Sequence, residues 1–423
     1  MTDAKLPLNP TVIIIGAGAA GLSAASELSK QGISFLILEA ANRVGGRAYT
    51  ESTSFGQAVD HGCSWITGSD KNFFKDFGYK NGFTLLDHTD SGADTFEKDG
   101  RRSSTNSQLA YLKAGYDIEH AINSAGQAGK DIPASHVISH IPNSSIYQNW
   151  EGALNFAVDM KDISTLDYFR GRSSQPSHIV KEGLGTLVSK LNQNFPIKFN
   201  TKVVEIDHSG CQVEVITSAG KVKASYCICT VSVGVLKSEG IKFTPSLSHD
   251  KQKAINDLNM GLLIKIPLLF DGNRLGLKEN NRVQYDLPTE DIGSGCYFLA
   301  WPTNHDYLMG FIGGAFGWDL YADGQEAIVE YAMEKLTFIV GNNAKKHFIK
   351  GFASDWADNP LTLGSYSAAK PGHGGTREIL GEMESEKLLF AGEATEPEIY
   401  GLVNGAFESG KKAARSISNL VKH

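Results

Sequence analysis

Cysteine is scarce in this 423-residue chain: only Cys63, Cys211, Cys227, Cys229 and Cys296 occur. No two are spaced Cys-x-x-Cys, which removes thioredoxin-like and zinc-ribbon readings. So thin and odd a set suits a reduced protein better than a disulfide framework. Cys227 and Cys229 are expected as small buried hydrophobes on one face of a strand. Long apolar runs are also lacking. The longest, near residues 261–270, is interrupted by Lys265, so no segment is expected to span a bilayer. Positive charge is not in excess: Lys+Arg total 40 against 47 Asp+Glu, a formal net charge of -7. That balance argues against a nucleic-acid or anionic-membrane partner. Residues 1–10 carry no apolar stretch of the secretory type. The final Leu420-Val421-Lys422-His423 matches no retention or peroxisomal address. Together these predict a cytoplasmic protein. The 12 His are scattered; none joins a metal cluster or a Ser-His-Asp order, and His61 is expected to be structural.

Glycine, by contrast, is abundant, at 45 residues, and its placement is informative. Residues 11–15 form a β-branched run that predicts a buried parallel strand. It leads into Gly16-Ala17-Gly18-Ala19-Ala20-Gly21. A helix is expected next, with Gly21, Ala24, Ala25 and Leu28 on its packed face and Ser23, Glu27 and Lys30 elsewhere. Gly32 would close it in the left-handed conformation, and a second strand, 35–38, ends at Glu39. In such a unit Gly16 allows the tight turn, Gly18 lets backbone approach a pyrophosphate, and Gly21 lets helix and strand pack closely. The helix N-terminus offers free N–H groups to the anion. Glu39 is placed to accept from a ribose hydroxyl, which disfavours NADP. No Gly-Lys-Ser/Thr follows, so the turn is not a P-loop. Then comes Ala40-Ala41-Asn42-Arg43-Val44-Gly45-Gly46-Arg47. Its glycines suit a second pass of backbone along a dinucleotide, and Arg47 can neutralise a pyrophosphate. A surface charge at Arg43 and a plain turn at Gly45-Gly46-Arg47 are the simpler alternatives.

From this point the chain resembles the flavin-dependent amine oxidase family, which includes monoamine oxidases, polyamine oxidases and lysine-specific histone demethylases. The glycine fingerprint plus Glu39-Ala40-x-x-Arg43-x-Gly45-Gly46-Arg47 matches its N-terminal signature. Asp60-x-Gly62-x-x-Trp65-Ile66-x-Gly68 resembles the segment beside the flavin. Further matches are Glu182-Gly183-Leu184-Gly185, Lys202-Val203-Val204-Glu205-Ile206, residues 230–236, Met260-Gly261 through Lys265, Trp356, Gly364-Ser365-Tyr366-Ser367, Phe390-Ala391-Gly392-Glu393 and Tyr400-Gly401-x-x-x-Gly405-Ala406. Residues 79–176 and 270–350 carry almost none.

The resemblance implies an α/β fold: a discontinuous Rossmann-type FAD-binding domain (8–78, 177–258 and 384–423) with an α+β substrate domain (79–176 and 259–383). Residues 101–130 read as helix, and Ser173 to Ser177 as a crossing between domains. The strand-like stretches 202–206, 212–216 and 222–229 fall in the FAD domain. A C-terminal helix over 405–420 would turn Ala406, Gly410, Ala413, Ala414 and Ile417 inward. By resemblance its N-terminus points at the flavin, where a positive dipole end favours the reduced ring; plain packing is the other reading. The implied FAD contacts are Gly16, Gly18, Ala20, Gly21, Glu39, Ala40, Gly46, Arg47, Gly62, Ser64, Trp65, Val204, Trp356, Gly392, Glu393, Val403 and Ala406.

Lys265 interrupts an apolar strand pattern, and a charge there is expensive without a partner. An edge-strand lysine facing solvent is the plain alternative. By resemblance it is the lysine that holds a water against the flavin, with a pKa lowered by burial. Tyr366 matches one wall of the family's aromatic cage. Leu402 occupies the second wall, as a non-aromatic residue does in polyamine oxidases and demethylases, and Tyr400 and Thr67 complete the implied substrate pocket. Thr67 stands where several polyamine oxidases carry an acid or a histidine. Ser365 replaces the cysteine that monoamine oxidases bond to FAD, so non-covalent FAD is expected. The expected function is oxidation of a small-molecule amine by hydride transfer to FAD, with imine hydrolysis and reoxidation by dioxygen. An amino-acid oxidase or desaturase of the same fold, and an FAD-containing binding protein, are the alternatives.

Overall fold

The computed structural model describes residues 7, 9–171 and 175–422. The strand Val12–Ile15 is buried along its whole length, as a β-branched run must be when both its faces are covered. It pairs in parallel with Phe35–Leu38 on one side and Tyr226–Cys229 on the other. Leu388–Phe390 and Ile197–Lys198 complete a five-stranded parallel sheet, one at each edge. Pieces from the start, middle and end of the chain therefore make one Rossmann-like sheet. Cys227 and Cys229 are buried in the same cluster.

Helix Ala19–Lys30 follows the first strand, and Gly32 (φ 69°) ends it. Helix Val403–Lys422 lies against it. The contact is close: a Cβ on Gly410 would sit 2.0 Å from the carbonyl of Ala20. The Ser23 hydroxyl donates to the Phe407 carbonyl, and Arg415 pairs with Glu27 at 2.9 Å. Ser23 and Glu27 are therefore buried, not on a free face as periodicity alone suggested. A second helix covers the face that the first helix would otherwise show to water.

Residues 222–229 do not form one strand. Gly220–Ala224 and Tyr226–Cys229 are separate, and they join different sheets. The first is mostly exposed and belongs with Val213–Thr217, Val203–Asp207 and Lys242–Thr244. The second is largely buried and enters the parallel sheet. The break at Ser225 is where the chain leaves one sheet for the other.

The six-stranded sheet runs Phe348–Gly351, Leu263–Phe270, Tyr307–Gly313, Tyr297–Ala300, Arg282–Tyr285 and Ala93–Phe96 in spatial order. It is antiparallel except at the last pair, and a large apolar cluster centres on it. Trp65–Thr67, Ser177–Val180 and Leu85–Asp87 form a small sheet. Thr105–Gln127 is the long helix, capped by the Ser104 hydroxyl. Helix Ser145–Asn149 runs on into a π-helix, Trp150–Phe156. Of the expected crossing, Ser173 and Ser174 lie outside the described residues, as do Leu8 and His423 at the expected domain ends. Among the described residues no His/Cys/Asp/Glu group could hold a metal ion, and no helix is long and apolar enough to cross a membrane.

Candidate active site

A cavity of about 1080 Å³ opens where the two large sheets meet the C-terminal helix. At one end Gly16, Gly18 and Ala20 line it. Gly16 has φ 98°, and a Cβ there would meet the Thr230 hydroxyl at 2.6 Å. No side chain caps the helix that starts at Ala19, so its first N–H groups are available to an anion. Gly46 packs on Gly18, with a would-be Cβ 3.4 Å from its Cα. Gly21 does not reach the cavity: its would-be Cβ points at the Gly16 carbonyl, 1.9 Å away, so its task is packing. Glu39 lines the cavity beside Ala40 and accepts from the N–H groups of Ala17 (2.6 Å) and Ala41 (2.8 Å). Burial pushes its pKa up and these bonds oppose the rise. Arg43 is no surface charge. It lies 4.0 Å over the Tyr49 ring and donates to the Gly46 carbonyl at 2.8 Å, clamping the glycine turn. An uncapped helix end, a side-chain-free backbone cradle and a ribose-competent acid fit an adenine dinucleotide.

One assignment moves by a residue. Val204 is 42% exposed and away from the cavity, whereas Val203 is buried and lines it. Neighbours on a strand face opposite ways, so Val203, not Val204, faces the cavity.

Further along stand Gly62, Ser64, Trp65, Trp356, Gly392, Val403 and Ala406. Gly62 is obligatory, because a Cβ would lie 1.6 Å from the Arg47 carbonyl. Trp356 donates to the His61 carbonyl at 2.9 Å. His61 itself packs against Tyr49 and Phe352. Arg47 lines the cavity, donates to the Ser365 carbonyl (2.7 Å) and pairs with Glu393 (2.9 Å). Glu393 also accepts from Ser367 and from the Gly401 N–H. Burial pushes its pKa up, but Arg47 and Arg377 outweigh that and hold it below the usual range.

Lys265 is not on an edge. Its strand is flanked by Tyr307–Gly313 and Phe348–Gly351, and the residue is 4% exposed. Nζ lies 3.3 Å from the Asp60 carbonyl, donates to Ser64, and sits 5.6 Å from the centre of the Trp65 ring. Burial lowers its pKa to about 8, with Asp60 opposing the shift. Asp60 in turn accepts from the N–H groups of Leu184 and Gly185. The Glu182-Gly183-Leu184-Gly185 motif thus braces the segment that holds the lysine.

Tyr366, Leu402, Tyr400 and Thr67 line the same cavity as Lys265. The Tyr366 hydroxyl donates to the Leu154 carbonyl of the π-helix. Tyr400 donates to the Asp167 carbonyl at 2.9 Å and packs under Arg377, 3.9 Å away. The Thr67 hydroxyl is buried without a hydrogen-bond partner among the described residues. Ser365 is fastened to both backbone groups of Leu263.

Sequence reasoning missed two features. Arg377 and Asp167 form a fully buried ion pair at 2.9 Å, and Arg377 also donates to Ser367, which joins the pair to Glu393. The π-helix contributes Trp150, Glu151, Leu154, Asn155 and Phe156 to the cavity. Both lie largely in stretches without family motifs. Glu151 had one signal: it is the lone charge in Trp150-Glu151-Gly152-Ala153-Leu154.

Comparison with known proteins agrees with this geometry. Residues 139–418 match the model of the flavin containing amine oxidoreductase family, and residues 14–79 match that of an NAD(P)-binding Rossmann-like domain. Polyamine oxidase 3 of Oryza sativa subsp. japonica is 28% identical over 438 residues, 96% of this chain and 88% of the relative. Polyamine oxidase 2 of Arabidopsis thaliana is 28% identical over 444 residues, 96% and 87% respectively. Lysine-specific histone demethylase 1 homolog 2 of Arabidopsis thaliana is 26% identical over 440 residues, 98% of this chain but 59% of the relative. With the dinucleotide cradle, the buried lysine and the tyrosine wall in one cavity, the chain belongs to the flavin containing amine oxidoreductase family and is an FAD-dependent amine oxidoreductase.

Proposed function

We propose that the protein is a polyamine-oxidase-like enzyme that oxidises a primary or secondary amine and passes the electrons to dioxygen. One observation carries this reading: the cavity that begins at the glycine turn continues without interruption to Lys265 and Tyr366. When bound, FAD supplies the two-electron acceptor for hydride from the carbon next to nitrogen. The protein's own groups do the rest. Tyr366, held through its hydroxyl, presents a fixed aromatic wall to the amine. Burial around it favours the uncharged amine, the form that can lose hydride. Lys265 holds a water between itself and the reacting face. The substrate leaves as an imine, which water hydrolyses to a carbonyl compound and a smaller amine. Dioxygen takes up the two electrons and two protons as hydrogen peroxide.

The test is anaerobic mixing of the holoenzyme with a panel of monoamines, diamines, polyamines and L-amino acids, following flavin bleaching. Bleaching by amines and peroxide formation on readmitting air are expected. Bleaching by amino acids alone would replace this reading with that of an amino-acid oxidase, for which the exposed Arg282 in the cavity wall is the available cation.

A further inference from the structure

His88 follows strand Leu85–Asp87 and lines the cavity with Trp65. It lies in the stretch without family motifs and is 7% exposed. Both ring nitrogens are engaged. Nε2 is 2.9 Å from the Asn280 carbonyl, and the Trp65 indole Nε1–H donates to Nδ1 at 3.3 Å. A carbonyl can only accept and an indole N–H can only donate. The two partners therefore admit one form of the ring: neutral, with its proton on Nε2. The carbonyl is itself fixed. Asn280 adopts the left-handed conformation (φ 58°). Its N–H donates to the Ala300 carbonyl and its side-chain oxygen accepts from the Thr303 N–H, both at 2.8 Å. The faces of the indole are set as well, with the Phe311 ring 6.0 Å away and Lys265 Nζ 5.6 Å from the ring centre. One hydrogen bond from His88 thus holds the edge of the ring against which the buried ammonium rests. A second proton, on Nδ1, would turn one donor towards another and break that bond. The surroundings oppose that proton on balance. Burial holds the His88 pKa below its ordinary 6.5, and Arg282 from strand Arg282–Tyr285 acts the same way, against the Asn280 carbonyl and Asp87. His178, on the adjacent strand Ser177–Val180, turns to the Ser69 hydroxyl, and the exposed Glu279 accepts from the Asn280 amide.

We propose that His88 is a positioning residue: its neutral ring locks the Trp65 indole beside Lys265, and protonation in acid frees the indole and slows amine oxidation. The effect on rate rests on the amine-oxidising reading above; the lock does not. Freed at its N–H edge, the indole no longer confines the lysine ammonium, so Lys265 loses its fixed place relative to the reacting face. The loss falls on kcat, because Lys265 acts on the reacting atoms.

The test compares wild-type holoenzyme with His88→Asn and His88→Leu, each labelled with nitrogen-15 at tryptophan. Asn keeps a neutral acceptor at the place of Nδ1 and cannot titrate; Leu removes the acceptor. The chain has five Trp, and loss of one indole N–H signal in Trp65→Phe assigns that of Trp65. In wild type this signal should sit at a hydrogen-bonded shift in alkaline buffer and move upfield in one step below about pH 6.5. The Asn variant should keep the bonded shift throughout, and the Leu variant should show the free shift throughout. Turnover is measured at saturating amine, so that ionisation of the free substrate does not enter. Wild-type kcat should fall about 10- to 100-fold on acidification, the Asn variant should lose that fall, and the Leu variant should stay low at every pH. A Trp65 signal that does not titrate in wild type, or that coincides in wild type and the Leu variant, would overturn the lock. Equal kcat profiles in all three proteins would overturn the positioning role. If wild type oxidises no amine at all, the functional reading has failed instead, and the indole signal still decides the lock. FAD content and melting temperature show whether each variant is folded, and the Asn variant carries the test if Leu disrupts the wall.

Discussion

Lys265 shows how a single residue's burial becomes a measurable property. Its ammonium is flanked by the Asp60 carbonyl and Ser64 rather than by a carboxylate in contact, and desolvation lowers its pKa from 10.5 to about 8. Between those two values the folded protein has released a proton that the unfolded chain retains. The unfolded state binds more protons in that window, so this residue makes stability rise with pH from about 8 to 10.5. Lys265→Met should lose that rise, seen as the difference between the two proteins' denaturant midpoints across the window. The same variant should keep its FAD and slow amine oxidation or reoxidation by about 100-fold or more. An unchanged rate would mean that the reacting atoms lie elsewhere. The neighbouring Ser365 is explicable at the same scale. Its hydroxyl is engaged with Leu263, and an alcohol cannot supply the thioether that a cysteine would.

Among the elements, the pairing of Ala19–Lys30 with Val403–Lys422 is the contact on which the cofactor end depends. Each helix presents its N-terminal turn to the cavity, through Ala19 and Ala20 in one and Val403 and Ala406 in the other. Gly410 permits their approach, because a methyl group there would fall 2.0 Å from the Ala20 carbonyl and 2.5 Å from the Ser23 hydroxyl. Gly410→Ala should therefore destabilise the protein by about 1–3 kcal/mol, read as a lower melting temperature, with weaker FAD retention because both helix ends shift. A melting temperature within a degree of wild type would show that the helices can part without cost. The small residues of the C-terminal helix were legible from periodicity. The burial of Ser23 and Glu27 was not, because it is imposed by a helix nearly four hundred residues away.

For the whole molecule, the cavity is lined by distant segments, the glycine turn, the 61–65 strip, Trp356 and the Gly392–Ala406 stretch, and we propose that these hold the cofactor. Groups gathered from so much of the chain exist as a site only in the folded state, so FAD should stabilise that state by mass action. At a thousandfold excess over its Kd the gain is about 4.1 kcal/mol. Acid should release the flavin into the supernatant. The apoprotein should melt well below the holoprotein, and added FAD should restore the difference. Flavin that stays with the acid-precipitated protein would contradict non-covalent binding, and identical melting curves would contradict the linkage. The division into an FAD domain and a substrate domain follows the same logic of assembled segments, and we propose it on the five-stranded parallel sheet and the six-stranded sheet, each built from the segments of one domain, although the small sheet joins Leu85–Asp87 to strands of the other.

The sequence by itself determined the dinucleotide end. Gly16, Gly18, Gly21 and Glu39 act through local geometry, since turn, helix start and strand end lie within one short βαβ unit. Lys265 stood out as a charge in an apolar strand pattern, which left an edge position open, and only the family resemblance pointed to it and to Tyr366 as cavity residues. Only the tertiary structure decided that Val203 rather than Val204 faces the cavity, since strand orientation is set by the sheet it joins. It alone paired Arg377 with Asp167, whose partners come from remote helices. It alone placed Glu151 on a π-turn against Tyr366, because such a turn depends on what packs around it and leaves no periodic trace in the chain.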